Sequence, residues 1–406
     1  MAAEHRGAQC RGAAVCAAAA AGGPERGGGL IWLLSLSLLA YAWIILRRLV
    51  AWQEMPTSDA PASFIPALRL SVIIPVRNEA ANILMLLQDL DRQHYPKELI
   101  EVLVVDDHSE DNTVELIHEY VRGSKLNIRM LQLRDYPAMQ LKKAAVQKGV
   151  ELAQGELLVF TDGDCRVGQE WLRQYAYLYR LQQPYFISGP VCFHNTHSLF
   201  EKMQLVEFSS LIGIGGASIG MGRPNMCNGA NLAYRKDIFD SVAGFAGNEG
   251  IASGDDEFLL HKVHEQYPGK VAFLKNSKAI VYTSARKTLI SFVSQRVRWA
   301  SKWKSYQSQR VQLVALAVFL VNFLLFLALA LLVFGSLPLW IFVAAYVAKF
   351  AVDFLFLRQI LGFLGKQEYL WYMLPLQLVY VPYVVITGVW GLLGRYRWKG
   401  RIIRNA

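Results

Sequence analysis

The amino-acid sequence predicts an α/β protein in which a mostly parallel, doubly wound sheet is flanked by membrane-embedded segments. Between residues 69 and 310, short runs of β-branched residues alternate with helical stretches. Successive strand–helix units favour a parallel sheet. Outside that region lie three apolar runs of the length that a helix needs to cross a bilayer. The 406-residue chain has room for one large soluble domain and a membrane portion.

The first apolar run, residues 30–46, is uncharged and predicts a transmembrane anchor over residues 30–50. A cleaved secretory signal is the alternative, because the Ala-Tyr-Ala sequence at 40–42 has the small-x-small form of a cleavage site. The run continues past that site and ends at Arg47 and Arg48. Such basic flanks favour a retained anchor.

The C-terminal membrane portion is predicted over residues 311–393. An apolar stretch interrupted near residues 335–338 predicts a helical hairpin with crossings at about 312–335 and 338–357. We therefore expect two to three membrane helices after the soluble domain.

The third apolar run, residues 369–393, is long enough to cross a bilayer but contains Pro375 and Pro382. A full crossing would place the basic tail, residues 394–406, on the outside, whereas basic residues tend to remain on the cytoplasmic side. We therefore expect a broken or re-entrant segment and a cytosolic tail.

Composition limits the classes of partner. The formal charge of +10 lies largely beside the membrane segments, which indicates membrane topology and contact with anionic lipid, not a nucleic-acid partner. The five cysteines are scattered without a C-x-x-C pair, as expected for reduced thiols in a cytosolic domain. Residues 1–29, rich in Ala and Gly, predict a disordered leader.

Within the soluble region the pattern predicts four strands and three intervening helices. The strands are expected at 70–75, 101–105, 128–133 and 157–160, and the helices at 80–92, 112–122 and 140–153. Ligands of such sheets bind beyond the carboxyl ends of the strands.

Two of these strands are followed by paired carboxylates, Asp106 with Asp107 and Asp162 with Asp164. One such pair is most simply explained as turn or helix-cap chemistry. Two pairs in one sheet favour a ligand that requires acids. An Asp-x-Asp sequence can offer oxygen ligands to a divalent cation while substrate phosphates complete its coordination. We therefore expect Asp162 and Asp164 to hold Mg²⁺ or Mn²⁺.

Four further segments are specific in their order and spacing. They are LSVIIPVRNE at 70–79, CNGAN at 227–231, GDDEFL at 254–259 and QRVRW at 295–299. With the Asp-x-Asp sequence, they make the chain resemble a family 2 membrane glycosyltransferase with a GT-A type, Rossmann-like nucleotide-sugar domain. Only the acidic pair departs from the family pattern, since its first member is Asp255 where the family usually has Glu.

The resemblance implies a GT-A catalytic domain over residues 69–287 and a site built from the motifs. Asp256 takes the position of the catalytic base, which would remove the proton of an acceptor hydroxyl. Donor contacts are implied for Pro75, Glu79, Asp106, Asp107, Lys142, Asp162 and Arg298. Acceptor contacts are implied for Asn228, Gly229, Asp255, Gln295 and Trp299. For Lys142 and Lys143 a solvated helix face is the alternative interpretation, favoured more for Lys143.

Residues 288–306 predict an amphipathic helix in the membrane interface, within an interface segment over 288–310. Its apolar positions recur every three or four residues, including Trp299 and Trp303. A role as interfacial anchor alone is the simpler interpretation of Trp303. At Trp299 the Gln-x-x-Arg-Trp match favours contact with the acceptor.

The function implied is an inverting transfer from a nucleotide diphosphate donor, UDP-hexose by default, to a membrane lipid or lipid-linked acceptor. Nucleotide sugars are made in the cytosol, so we expect a multi-pass protein of the inner or plasma membrane with a cytosolic catalytic domain. A processive polysaccharide synthase is the near alternative. The predicted membrane segments offer few helices to line a polymer channel, but a homo-oligomer could supply more. A non-catalytic sugar-nucleotide sensor or transporter is the alternative of another class, although only Lys349 and Asp353 are ionisable within the predicted helices.

Overall fold

The computed structural model describes residues 25–136, 141–247, 254–301 and 308–392, together with 395–398 and 401–404. Within these residues the strands are β1 (Leu70–Val76), β2 (Ile100–Asp106), β3 (Asn127–Gln132), β4 (Leu157–Phe160), β5 (Arg166–Val167), β6 (Phe186–Ser188), β7 (Val191–His194), β8 (Leu232–Arg235), β9 (Val271–Phe273), β10 (Val281–Ser284), β11 (Arg395–Trp398) and β12 (Arg401–Arg404). The helices are α1 (Glu25–Glu54), α2 (Ile83–Asp91), α3 (Thr113–Gly123), α4 (Leu141–Leu152), α5 (Trp171–Gln182), α6 (Leu199–Gly220), α7 (Lys236–Ser241), α8 (Asp255–Gln266), α9 (Leu289–Ala300), α10 (Gln309–Val333), α11 (Leu339–Phe363) and α12 (Met373–Leu392).

The main sheet has seven strands in the order β3-β2-β1-β4-β8-β6-β9. The four predicted strands β1 to β4 are confirmed and pair in parallel. Beyond them the sheet is mixed, because β8 runs antiparallel to both β4 and β6. A smaller sheet has the order β5-β10-β7. The α/β GT-A fold class is thus confirmed, with a parallel half and a mixed half.

The strand exits with acidic residues meet at one edge of this sheet. Val76 at the end of β1 pairs with Asp106 at the end of β2, and the backbone N–H of Asp107 donates to the carbonyl of Val76 over 2.8 Å. Strand β4 lies on the other side of β1 and ends directly before Thr161. Because the three strands are parallel, their carboxyl ends open toward the same space.

Helix α6 connects the α/β domain to the apolar helices through close contacts at glycines. An added Cβ at Gly213 would lie 2.5 Å from Cγ1 of Ile360 in α11, and one at Gly216 would lie 2.9 Å from the Trp52 ring of α1. Small residues allow helices to approach this closely. The buried apolar cluster that includes Val72 of the sheet is therefore continuous with that of the apolar helices.

Four helices are long and apolar enough to cross a membrane by length and composition: Gly29–Glu54, Val311–Val333, Leu339–Phe363 and Gln367–Gly391. Helix α1 begins at Glu25, so residues 25–29 belong to this helix and not to the predicted leader. Residues 1–24 lie outside the described residues.

The third C-terminal segment is predicted to be broken or re-entrant; a break within residues 373–392 is wrong, whereas the re-entrant course stays a prediction. After a short 3₁₀ turn at Gln367–Tyr372, helix α12 is continuous and contains Pro382. Pro375 lies in the first turn, where its missing N–H has no helical partner to lose. Near Pro382, the Tyr346 hydroxyl of α11 donates to the carbonyl of Gln377. This bond joins α12 to α11 about one turn before the proline.

Helix α9 confirms a helix at Leu289–Ala300 within the predicted segment 288–306, and its place at the membrane interface stays a prediction. Residues 302–307, including Trp303, lie outside the described residues. The last turn of α12 lies against the last turn of α9, since an added Cβ at Gly391 would be 2.6 Å from Cβ of Ala300. The basic tail forms the antiparallel ribbon β11–β12, and β11 lies beside α9.

Candidate active site

A cleft of about 350 Å³ opens at the carboxyl edge of the main sheet, between the strand exits and helices α6, α8 and α9. Every predicted site residue except Asp106 lines this cleft. Those that do are Pro75, Glu79, Asp107, Lys142, Asp162, Asp164, Asn228, Gly229, Asp255, Asp256, Gln295, Arg298 and Trp299. Residues as far as 224 positions apart along the chain, Pro75 and Trp299, are thereby arranged around one space by the strand exits and helix ends.

The Asp-x-Asp turn packs tightly against the end of β1. A Cβ added at Gly163 would lie 2.9 Å from Cγ1 of Val76 and 3.1 Å from Cγ of Glu79. The turn closes with a hydrogen bond from the Cys165 N–H to the Asp162 carbonyl over 3.1 Å. Burial, with the carboxylates of Asp164 and Asp162, raises the pKa of the Cys165 thiol. Both effects favour the protonated thiol.

Lys142 lies between the two acidic groups of the cleft. Its ammonium donates to Oδ1 of Asp162 over 2.5 Å. Burial opposes the charged form, but the carboxylates of Asp162, Asp255 and Asp256 outweigh it and raise the pKa of Lys142. The residue therefore carries a fixed positive charge within the cleft. Lys143 lies instead with its ammonium 5.9 Å from the Phe245 ring centroid, outside the cleft lining.

The acidic pair Asp255 and Asp256 begins helix α8, directly after Gly254, whose φ of 89° is a left-handed conformation that suits glycine. Carboxylates in the first turn complement the partial positive charge of the helix N-terminus. A Cβ added at Gly229 would lie 3.2 Å from Oδ2 of Asp256 and 3.4 Å from Nζ of Lys142. The two side chains therefore converge on this glycine.

Sequence reasoning did not assign a role to Asn231, which holds the loop with Asn228 and Gly229 in place. Its side chain is fully buried and makes four hydrogen bonds. The Oδ1 atom accepts from Trp171 and Tyr175, and the Nδ2 atom donates to the carbonyls of Pro190 and Ala279. A second Asn three residues after Asn228 was the available signal, since a buried Asn with all its hydrogen-bonding groups paired rigidifies its surroundings.

Asp106 and Asp107 differ in where their carboxylates lie. Asp106 is fully buried and accepts from the Ser109 N–H at 3.2 and 3.1 Å, so it stabilises the turn after β2. Asp106 therefore has the turn-stabilising role that was the alternative explanation of an acidic pair after a strand. Asp107 faces the cleft, and its Oδ1 accepts from the Leu141 N–H over 3.1 Å. Of the pair, only Asp107 is placed to meet a ligand in the cleft.

The Gln-x-x-Arg-Trp segment is part of α9. It brings Gln295, Arg298 and Trp299 to the wall of the cleft opposite the strand exits. Behind it, Arg296 forms a buried ion pair with Glu207 of α6, with Nε 2.9 Å from Oε1 and a second contact between Nη2 and Oε2. The guanidinium also lies 4.3 Å from the Trp299 ring centroid and donates to Oε1 of Gln295 over 2.7 Å. Arg296 therefore holds two motif side chains from behind.

In the sequence, Arg296 lies on the apolar side of this helix, because it follows Phe292 by four residues and precedes Trp299 by three. A charged residue on a buried stripe requires an opposite charge, and that requirement was the available signal. The partner, Glu207, is 89 residues away along the chain, so its identity depends on the packing of α6 against α9.

The donor set of the cleft fits a divalent cation that is shared with a substrate. Asp162 and Asp164 offer carboxylate oxygens, which Mg²⁺ and Mn²⁺ prefer. Within the described part of the chain, no group of three or more His, Cys, Asp or Glu side chains forms a ligand set of its own. Phosphate oxygens and water would complete the coordination, as is common for Mg²⁺.

Comparisons with known proteins agree with this arrangement. The model of Glycosyl transferase family 2 matches residues 71–242, and that of Glycosyl transferase family group 2 matches residues 157–387, more than half of the chain. Among curated relatives, a glycosyltransferase of Haloferax volcanii, AglE, is 32% identical over 194 residues, covering 46% of this chain and 58% of that protein. A beta-monoglucosyldiacylglycerol synthase of Trichormus variabilis is 25% identical over 233 residues, covering 57% and 48%. The chain spans about half the length of these two relatives.

Among solved structures, a mannosyltransferase from Pyrobaculum calidifontis in complex with GDP-Man and Mn²⁺ matches with a TM-score of 0.57 at 17% identity. The match covers 89% of this chain and 98% of that one. At this level of identity the likeness shows a shared fold that extends over both the α/β domain and the apolar helices.

Proposed function

The chain belongs to glycosyl transferase family group 2, and on that premise we propose that it transfers a sugar from a nucleotide diphosphate donor to a hydroxyl of a membrane lipid or lipid-linked acceptor, with inversion. The observation that carries the proposal is the convergence of Asp256 and Lys142 on Gly229, in a cleft that also contains the Asp-x-Asp turn. UDP-hexose remains the default donor.

The donor side of the cleft would stabilise the departing diphosphate. Asp162 and Asp164 would hold a divalent cation, which when bound supplies positive charge to the leaving group. Lys142 and Arg298 would add fixed positive charge from opposite walls of the cleft. Asp107, which faces the cleft at the exit of β2, would contact the nucleoside.

Asp256 would accept the proton of the acceptor hydroxyl. Its carboxylate lies over Gly229, where the missing side chain leaves room for a substrate between the base and Lys142. A single base without an assigned carboxylate nucleophile would displace the diphosphate in one step and invert the anomeric carbon. Asn228, Asp255 and Gln295, which share this part of the cleft, would orient the acceptor.

Nucleotide release by the purified full-length protein, measured with a panel of nucleotide sugars and membrane lipid extract, tests this proposal. Asp256→Asn should lower release at least about 100-fold, since a general base contributes about 10²- to 10⁴-fold. Glu265→Gln, an exposed acid on the same helix, should leave release unchanged. Unchanged release in Asp256→Asn would refute the assignment of the base. Products carrying many sugars per lipid would instead favour the processive synthase.

We also propose a cytosolic catalytic domain and a cytosolic tail. Helix α12 ends beside the end of α9, and the tail ribbon lies beside α9, which supports a tail on the same side of the membrane as the catalytic domain. A cysteine placed at Gly400 should react with a membrane-impermeant maleimide only after cells are permeabilised. Labelling in intact cells would contradict this topology.

A further inference from the structure

A second cavity, of about 490 Å³, lies among the apolar helices α1, α10, α11 and α12 and is bounded by α6 and α9. Three residues line both this cavity and the catalytic cleft: Leu211, Met226 and Trp299. The cavity and the cleft therefore share part of a wall. Its other walls are mostly apolar, with residues such as Ile45 and Phe356.

One charge in the wall of this cavity is not neutralised by a neighbour. The charged residues that line it are Arg48, Glu207 and Asp353. Glu207 pairs with Arg296, and Asp353 accepts from Lys349 over 2.7 Å. Arg48 is only 8% exposed, and its hydrogen bonds go to neutral groups, the Ser218 hydroxyl at 3.1 Å and the Ile44 carbonyl at 3.0 Å. Among the described residues, no carboxylate forms an ion pair with it.

A second buried polar group lines the same cavity. Asn225 is 6% exposed, and its Oδ1 atom has no hydrogen-bond partner among the residues that the structure describes. Its amide can turn to present either its oxygen or its N–H₂ group to a ligand. A buried cation without a counterion and an unsatisfied buried amide are both unfavourable in an apolar wall. An anionic ligand would pair with Arg48 and, with the amide turned, accept a hydrogen bond from the N–H₂ group of Asn225.

Resting on the proposed function, we propose that this cavity binds the hydrocarbon chain of a phosphate-bearing acceptor lipid whose phosphate pairs with Arg48 and bonds to Asn225. The guanidinium suits a phosphate because it offers two parallel N–H donors. A neutral diacylglycerol would leave Arg48 without a counterion. From Arg48, the head group of the bound lipid would extend past Trp299 toward Asp256.

Native mass spectrometry of the full-length protein in detergent tests this inference. The probes are phosphatidylglycerol, a diacylglycerol with the same chains, and glycerol phosphate. We expect preferential retention of phosphatidylglycerol, and Arg48→Gln should weaken it about tenfold without changing retention of the diacylglycerol. Arg47→Gln is the matched control, because Arg47 is the adjacent residue, is exposed and lies over the Trp43 ring at 5.4 Å.

Three outcomes would overturn the inference. They are equal retention of the two lipids, an equal effect of the two arginine variants, and binding of glycerol phosphate as tight as that of phosphatidylglycerol. If Arg48→Gln does not fold, Asn225→Asp supplies the test, since it adds a negative charge to the cavity wall and should abolish the preference for phosphatidylglycerol. A persistent preference in that variant also overturns it. Sugar transfer that depends on Asp256, without a preference for phosphatidylglycerol, would contradict this inference alone. A preference for phosphatidylglycerol without sugar transfer would contradict the proposed function alone.

Discussion

At the scale of single residues, the cleft depends on positions where a side chain is absent as much as on those that carry charge. Gly163 allows the Asp-x-Asp turn to lie against the end of β1, and Gly229 leaves open the space shared by Asp256 and Lys142. At both glycines the backbone lies close to neighbouring side chains, and the lack of a Cβ permits this approach. The positions of the carboxylates are therefore set by their glycine neighbours as well as by the strands.

Gly163→Ala should disturb the metal side of the cleft. The added methyl group would lie 2.9 Å from Cγ1 of Val76, in a buried turn, so either the turn or β1 must shift. We expect a loss of about 1–3 kcal/mol in stability and weaker binding of the metal–nucleotide donor. Thermal unfolding and donor titration would measure these effects.

Gly168→Ala is the matched control in the same region, since its methyl group would meet only the Lys278 carbonyl at an ordinary 3.6 Å. Equal effects of the two substitutions would show that the packing of the turn against β1 is not the cause.

Stability should fall in acid partly because of His261. Burial and the neighbouring His264 lower the pKa of His261 to about 4, from an ordinary value of 6.5. The unfolded chain therefore binds the proton more readily, so the contribution of this residue is complete above pH 6.5 and declines as the pH falls toward 4. The total is at most about 3 kcal/mol.

His261→Gln should reduce the difference between the thermal midpoints at pH 7.5 and pH 5. His118→Gln, at an exposed position of α3, serves as the control. The explanation fails if the two variants retain the same pH dependence as the parent protein.

At the scale of elements, helix α9 is held by a buried ion pair and not by apolar contact alone. Arg296 and Glu207 are 4% and 6% exposed, and the Tyr383 hydroxyl of α12 donates to Oε1 of Glu207 over 3.1 Å. Three helices therefore meet at one carboxylate. This junction lies directly behind Gln295 and Trp299, so the same contact positions the wall of the cleft.

Glu207→Gln should be costly because it leaves the Arg296 guanidinium buried without its counterion. Breaking a buried pair in this way costs about 3–5 kcal/mol, whereas an exposed pair contributes about 0–1 kcal/mol. Asp59→Asn, which breaks the half-exposed pair with Lys278, is the corresponding control. Thermal unfolding in detergent compares them, and a similar small loss in both would contradict a structural role for the buried pair.

At the scale of the whole molecule, the α/β domain and the apolar helices form one packed unit. Helix α6 carries residues that line the cleft and also contacts α1 and α11 at its glycines. Trp299 and Met226 line both the catalytic cleft and the cavity among the helices. Packing changes between the domain and the helices should therefore reach the cleft.

Gly213→Ala tests this coupling. The added methyl group would lie 2.5 Å from Cγ1 of Ile360, which is fully buried. We expect a loss of about 1–3 kcal/mol and lower transfer activity. Ile360→Ala should offset part of the effect in the double variant, because residues in contact are not additive. Gly362→Ala is the control, since its methyl group would lie 3.7 Å from Nε2 of Gln367. Additive losses at 213 and 360 would argue against coupling.

The sequence by itself determined the parallel half of the sheet and nearly all of the residues that line the cleft. The reason is local: β-branched runs specify strands, parallel strands place their exits at one edge, and the acids that follow them must then lie together. Asp106 shows the limit of this reasoning, because adjacent residues at a strand exit point in different directions, and only Asp107 reaches the cleft.

Only the tertiary structure decided which distant residues pair and which cavities they enclose. The Arg296–Glu207 pair spans 89 residues, and Arg48 lines a cavity whose walls come from six helices. These outcomes depend on contacts between segments remote in sequence, and the pattern within any one segment does not specify its partner.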